Sequence, residues 1–98
     1  METLHCEEIH GFDWNPAVEA KLVHKHGLFP EEVEEACYDR HSIWCWEDDR
    51  RYWVFGRTDD RRYLFCIVRL TEDCLIHPIT ARDMNRRQRG YYLEINRL

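Results

Sequence analysis

The chain opens with two short stretches of helical character. Ile9, Phe12 and Trp14 alternate loosely with polar residues, and Gly11 weakens that run to a short edge strand at most. Asn15-Pro16 then supplies an N-cap and a proline for the first helical position. Val18 and Leu22 lie one turn apart, which predicts an amphipathic helix to Lys25 or His26 with Gly27 as its left-handed stop. A second helix is predicted from Pro30, where four glutamates between Glu31 and Glu35 sit near the positive end of the helix dipole. Val33, Ala36 and Cys37 form its inward side, and it ends near Tyr38–Asp39.

From Ser42 the period becomes two. Ser42–Trp46 sets Trp44 and Trp46 on one face against Ile43 and Cys45 on the other, and Tyr52–Arg57 is a second strand. Tyr63–Leu70 is almost continuously apolar, as expected of a central strand covered on both faces. Cys74–Thr80 is the fourth strand, where Pro78, lacking an N–H, requires an edge or a bulge. The acidic turns Glu47-Asp48-Asp49, Thr58-Asp59-Asp60 and Thr71-Glu72-Asp73 separate these strands, which describes an antiparallel meander. From Ala81 the pattern turns helical, with Met84, Tyr91, Tyr92 and Ile95 on one face. Thr80 and Asp83 have the spacing of a capping box, placing Arg82 beside free amides at a strand-to-helix junction. The predicted class is α+β in a single domain: two short helices, a four-stranded meander with an optional N-terminal edge strand, and a C-terminal helix.

Composition changes this picture in four respects. With 98 residues and 44% hydrophobic positions, the chain can bury one core and no second. No apolar run approaches a membrane span, and the acidic start METLHCEEIH lacks a secretory core, so a cytoplasmic protein with no membrane contact is expected. The five cysteines include no CxxC pair and are expected to be free thiols, most of them buried. The net charge of −5 conceals an asymmetry: residues 1–49 balance to −10 and residues 50–98 to +5. The arginine-rich second half therefore suits an anionic ligand, and the acidic first half suits a basic partner.

No P-loop, dinucleotide-binding glycine pattern, zinc-protease motif or serine elbow is present. His24 and His26 do not share a helix face, so no metal pair and no cofactor are expected. What remains is a set of cations: Arg57, Arg69, His77, Arg82 and Arg89, with Lys25-His26 before Gly27. On one face they would make a cleft for bidentate phosphate binding, with a histidine or tyrosine to move a proton. Taken singly, each arginine is as readily a solvated strand end or the partner of a turn carboxylate. Trp44, Trp46, Tyr52, Trp53 and Phe55 are mostly core, yet too aromatic for a plain solvent face, so a partner surface or a base-stacking strip is also open.

In order, FDWNP, KHG, FPEEVEEA, VFGRT, RYLFCIV and ITARDMNRRQRGYY resemble the BrnT-type toxins of bacterial toxin–antitoxin systems over roughly residues 12–94. The resemblance implies a fold similar to RelE-like ribonuclease toxins, RNA cleavage without a metal, and neutralisation by an antitoxin. It points to Lys25, His26, Arg57, Arg82, Arg89 and Tyr92 as site candidates. Combined with the cations read from the chain, the expected catalytic residues are His26, Arg57, Arg82 and Tyr92, and the expected substrate-binding residues are Lys25, Arg69, His77, Arg86 and Arg89. A glutamate common in the family's C-terminal helix is Gln88 here, and Val18 and Leu22 stand where many members carry lysine and asparagine. The function expected is a metal-independent endoribonuclease toxin. Its expected partners are RNA, an antitoxin from a neighbouring gene and, as an open arrangement, a second copy of the chain. The competing expectation is a non-catalytic toxin-like module that binds a partner protein.

Overall fold

The computed structural model describes residues 8–97. In chain order they form β1 (Gly11–Phe12), α1 (Pro16–His26), α2 (Pro30–Tyr38), β2 (Ile43–Asp48), β3 (Arg51–Arg57), β4 (Tyr63–Leu70), β5 (Leu75–Asp83) and α3 (Arg86–Asn96). The strands make one mixed sheet in the order β1-β5-β4-β3-β2. β2 to β5 are the expected antiparallel meander, and β1 adds a short parallel edge to β5. The apolar β4 is the central strand, with Leu64, Cys66, Val68 and Leu70 fully buried.

Both N-terminal helices form where their caps place them. Asn15 Oδ1 accepts from the amide of Ala17 at 2.8 Å, and Gly27 closes α1 at φ 60°, a left-handed conformation natural to glycine. Leu22, Leu28, Val33 and Ala36 pack on Tyr52, Val54, Leu64, Cys66, Val68 and Ile76 to make the main core. Alternation along β3 and β4 sends Phe55 and Phe65 to the opposite face, where Met84 and Tyr92 cover them. The sheet thus lies between α1 and α2 on one side and α3 on the other.

Three local expectations are corrected. β5 does not end at Thr80: it pairs with β4 through Arg82 and Asp83, and the Met84 amide donates to the Tyr63 carbonyl at 2.9 Å. The helix starts at Arg86, so Met84 precedes it, and the capping box is Asn85 with Gln88 rather than Thr80 with Asp83. Two segments carried the same three-residue spacing, and ladder pairing to β4 claimed the first for the strand. Pro78 does sit at a bulge: Val68 pairs with Pro78 and Ile67 with Thr80, leaving Ile79 extra. The third correction concerns thiols. Cys37, Cys45 and Cys66 are free, but Cys74 is disulfide-bonded; Cys6 lies outside the described residues.

Two contacts hold the helices to the sheet. A Cβ on Gly56 would lie 2.0 Å from the carbonyl oxygen of Ala36, so β3 and α2 approach as closely as they do only because residue 56 has no side chain. Arg62, just before β4, reaches across to both helices and to β5. Its Nε and Nη2 donate to Asp83 at 2.7 and 3.0 Å, Nη2 also to the His26 carbonyl at 3.0 Å, and Nη1 to the Gly27 carbonyl at 3.0 Å and Glu32 at 3.3 Å. Hydrogen bonding from Arg62 is the main cause holding the Asp83 carboxyl below its usual pKa, opposed by desolvation and aided by the charges of Arg62 and His26.

Gly56→Ala is expected to lower stability by about 2–3 kcal/mol through the forced separation of α2 from β3. Gly90→Ala, where a Cβ meets nothing within 4 Å, should raise it by up to about 1 kcal/mol. Urea unfolding of both proteins checks the pair, and equal midpoints would show that the close approach carries no constraint. A second expectation concerns acid. A depressed carboxyl pKa contributes stability that is present above the unfolded value, near about 4, and lost as pH falls through the folded value. The stability gap between wild type and Asp83→Asn should therefore hold from neutral pH to about 5 and close below about 4. A gap independent of pH would remove Asp83 from the clasp.

Candidate functional site

Strand register decides which cations meet. Arg57 pairs with Tyr63, Arg82 with Phe65 and Arg69 with His77, so all four cationic positions project from the sheet face that carries α3. They do not form one cluster, however. Six residues of β4 separate Tyr63 from Arg69, roughly 20 Å along the strand. At the far end Arg69 faces Asp49 at 3.6 Å, and His77 Nδ1 lies 3.0 Å from the Asp13 carbonyl and 3.5 Å from its carboxylate. The expectation that Arg69 and His77 share a cleft with Arg57 and Arg82 is not met. Turn and edge carboxylates occupy both.

The near end is different. Arg57 and Arg82 flank Tyr63 and Phe65, with Cα atoms about 12 Å apart on strand spacing and rise. The Arg82 guanidinium stacks over the Phe65 ring at 4.9 Å, and Nη1 donates to the Asp83 carbonyl and to Gln88 Oε1, each at 3.0 Å. Arg89, one helical turn into α3, lies over the Tyr63 ring at 5.6 Å. Hydrogen bonding to the Tyr63 hydroxyl is the largest cause raising the Arg57 pKa, opposed by desolvation and supported by the neighbouring Tyr92, Tyr63 and Asp39. Among the described residues no carboxylate comes within 4.0 Å of the Arg57, Arg82 or Arg89 guanidinium. Arg82 and Arg89 are oriented by aromatic rings and neutral oxygens, and none of the three cations has a paired carboxylate, although the charge of Asp39 lies near Arg57. Arg86 and Arg87 stand exposed on the first turn of α3 beside them.

Behind Arg57 lies a buried support. Tyr92 is fully buried, and its hydroxyl donates to Asp39 Oδ2 at 2.5 Å. The same oxygen accepts from the Arg57 amide at 3.0 Å, while Oδ1 accepts from the His41 amide at 3.0 Å. Burial, then the bond to Asp39, pushes the Tyr92 pKa far up, so the phenol stays protonated at any working pH. Tyr92 is thus buried with its hydroxyl turned to Asp39. His26 sits at the end of α1 with its carbonyl held by Arg62, close enough to Asp83 for its charge to help depress that carboxyl; Lys25 beside it is exposed. Arg61, Arg62, Tyr63, Asp83, Met84 and Arg89 line a recess of about 300 Å³ between these parts.

Several of the residues that build this site carried no signal in the chain. Asp39 looked like a helix end, and Arg62 fell between a turn and a strand with no role, because their partners on other elements are 18 to 53 and 21 to 36 positions away. Tyr63 and Phe65 were simply strand residues. Gln88, which stands where a carboxylate was expected, has its oxygen engaged by the Asn85 amide and by Arg82. Among the described residues, no three His, Cys, Asp or Glu side chains converge as a set of metal ligands. Among the described residues, no helix is long and apolar enough to cross a membrane.

The model of a family described as the ribonuclease toxin BrnT of type II toxin–antitoxin systems matches residues 14–88. The crystal structure of the Brucella abortus ribonuclease toxin BrnT superposes with a TM-score of 0.64 at 14% identity, covering 78% of this chain and 97% of that one. At so low an identity the likeness carries the fold alone. No curated protein sequence matches the chain significantly. The family match takes in Lys25-His26, both helices that Arg62 fastens, the whole meander and the capping residues of α3: the chain belongs to the BrnT family of ribonuclease toxins of type II toxin–antitoxin systems.

Proposed function

We propose that this chain is a metal-independent endoribonuclease whose working groups are the arginines without a paired carboxylate at one end of the sheet. The observation that carries the reading is the contrast between Arg62, whose donors are taken up by the protein, and Arg57 and Arg82, which are held in place without a carboxylate. In this reading the ribose 2′-oxygen attacks the adjacent phosphorus while the bond from phosphorus to the 5′-oxygen breaks. Arg57 and Arg82 stabilise the charge that grows on the phosphoryl oxygens. His26 takes the 2′-hydroxyl proton, and the 5′-oxygen leaves with a proton from solvent. Asp39 and Tyr92 fix the backbone from which Arg57 projects, and Lys25, Arg86 and Arg89 hold flanking phosphates. Arg69 and His77 lie about 20 Å from Tyr63 along the strand and serve at most as distal backbone contacts.

The second reading, a binding module for a basic partner, draws on a cavity of about 810 Å³ between α2 and the end of β3. Its wall sets Glu31, Glu34, Glu35, Asp39 and Asp59 beside Arg40, Arg57 and Arg61, and the acidic side suits a cationic protein segment such as an antitoxin would offer. Arg57 belongs to both readings, because it lines this cavity as well, so a partner segment bound there would cover one of the working arginines.

Cleavage of a labelled RNA by the purified chain in excess EDTA decides the enzymatic claim. Activity is expected to persist in EDTA and to fall about 100-fold or more in Arg57→Ala and in Arg82→Ala, the usual cost of losing one transition-state donor. Arg69→Ala should stay within about threefold of wild type, a loss of one screened contact. Cleavage that EDTA abolishes, or that survives Arg82→Ala, overturns the assignment. In that case co-purification with a neighbouring-gene product without growth arrest would support the binding module.

A further inference from the structure

On the α3 face, next to the arginines, Cys45, Trp46, Trp53, Phe55, Arg87, Gln88 and Tyr91 line an open apolar groove of about 610 Å³. We propose that this groove is a stacking subsite for an unpaired nucleobase of single-stranded RNA, adjoining the phosphate-binding arginines. The proposal rests on the ribonuclease reading above and extends it to how the substrate strand is held.

Three observations support it. First, the rings are exposed although a core lies directly beneath them: Trp53 is 42% exposed and Tyr91 40%. They are also fixed. Trp53 Nε1 donates to Glu47 Oε1 at 2.9 Å, Trp53 meets Phe65 edge-on at 5.8 Å, and Tyr91 meets Phe55 edge-on at 5.3 Å. Rigid, half-open rings give stacking surface at little entropic cost, and stacking accepts any base because every base has a π face.

Second, the groove is continuous with the cations. Phe65 carries Arg82 on its ring and contacts both Phe55 and Trp53. Gln88 lines the groove and also accepts from Arg82. A phosphate bound at Arg82 therefore places its neighbouring nucleoside over the aromatic floor, and Arg87 on the rim meets the next phosphate. Third, the volume falls within the range of about 300–1,000 Å³ usual for small-ligand sites, so it suits one or two nucleosides. A protein partner would need this apolar patch extended by further apolar surface. Instead the groove ends in arginines on one side and Glu47 on the other.

The test uses a fully 2′-O-methylated single-stranded hexaribonucleotide, which lacks the nucleophile and so reports binding without cleavage. Its affinity is followed by quenching of tryptophan fluorescence and by anisotropy. Trp53→Ala and Tyr91→Ala are expected to bind about tenfold more weakly than wild type, as for loss of one stacked base, with the salt dependence unchanged because no phosphate contact is lost. Trp53→Phe should recover most of the affinity, which separates stacking from damage to the fold, and urea midpoints confirm that each variant is folded. The same oligonucleotide with abasic residues should bind wild type and the alanine variants equally weakly. Unchanged affinity in Trp53→Ala, or equal binding of the abasic strand by wild type, overturns the subsite. So does loss of antitoxin binding in Trp53→Ala with RNA affinity intact, which would assign the groove to a protein. Arginine-dependent RNA binding without groove dependence defeats only this proposal, whereas absence of any RNA binding defeats the ribonuclease reading with it.

Discussion

A guanidinium has five N–H groups, and Arg62 directs every one of them into the protein. The recipients are the last carbonyls of α1, a glutamate in the first turn of α2 and a carboxylate at the end of β5. Helix ends otherwise leave such carbonyls to water. Here one side chain from the β3–β4 turn satisfies them, and in doing so fixes where the α1 terminus sits relative to the strand end that carries Arg82. The turn itself is prepared for the task. Thr58 is buried, its oxygen accepts from the Arg62 amide at 3.0 Å, and its own amide donates to the Arg62 carbonyl at 2.8 Å. The clasp ties the α1 terminus at His26 to the β5 end at Asp83.

Arg57 and Arg82 are treated in the opposite way. A carboxylate partner would hold Arg82 or Arg57 more tightly but would also neutralise it, and a phosphate would then have to displace the partner first. Aromatic faces, a phenol hydroxyl and an amide oxygen orient a cation without cancelling it. This chain uses carboxylates where an arginine braces the fold and rings where it stays available. Asp39 fits the same division: it takes backbone amides and the Tyr92 hydroxyl, and so braces the end of β3 without closing on the Arg57 guanidinium.

Much of the fold was legible because it is written locally. Asn15-Pro16, Gly27 and Pro30 bound the first two helices through cap chemistry that acts within four residues. The unbroken apolar run of β4 marked the central strand through burial on both faces. The end of β5 was misread because Thr80 and Asp83 offered the same cap spacing as Asn85 and Gln88. The choice between them lies in pairing with β4, some fifteen or more positions away. The site was half legible for a similar reason. Arginine-rich composition pointed to Arg57, Arg82 and Arg89, but separating them from Arg69 and His77 required the strand register. Their supporting groups, Asp39, Arg62, Tyr63 and Phe65, act only through long-range contacts.

The bulge at Ile79 has a consequence that is a matter of parity. His77 and Arg82 are an odd number of residues apart, so in an unbroken strand they would point to opposite sides of the sheet. One surplus residue restores agreement: Arg82 comes out beside Phe65, and Ala81 instead turns into the packed layer under the helices. The strand tolerates the surplus at a point where proline has no amide to offer the ladder. A chain one residue shorter there would keep this pairing with no bulge at all, whereas the same residues in an unbroken ladder would bury the cation and turn an alanine outward. The chemistry of this face thus depends on a count of residues as much as on their identity.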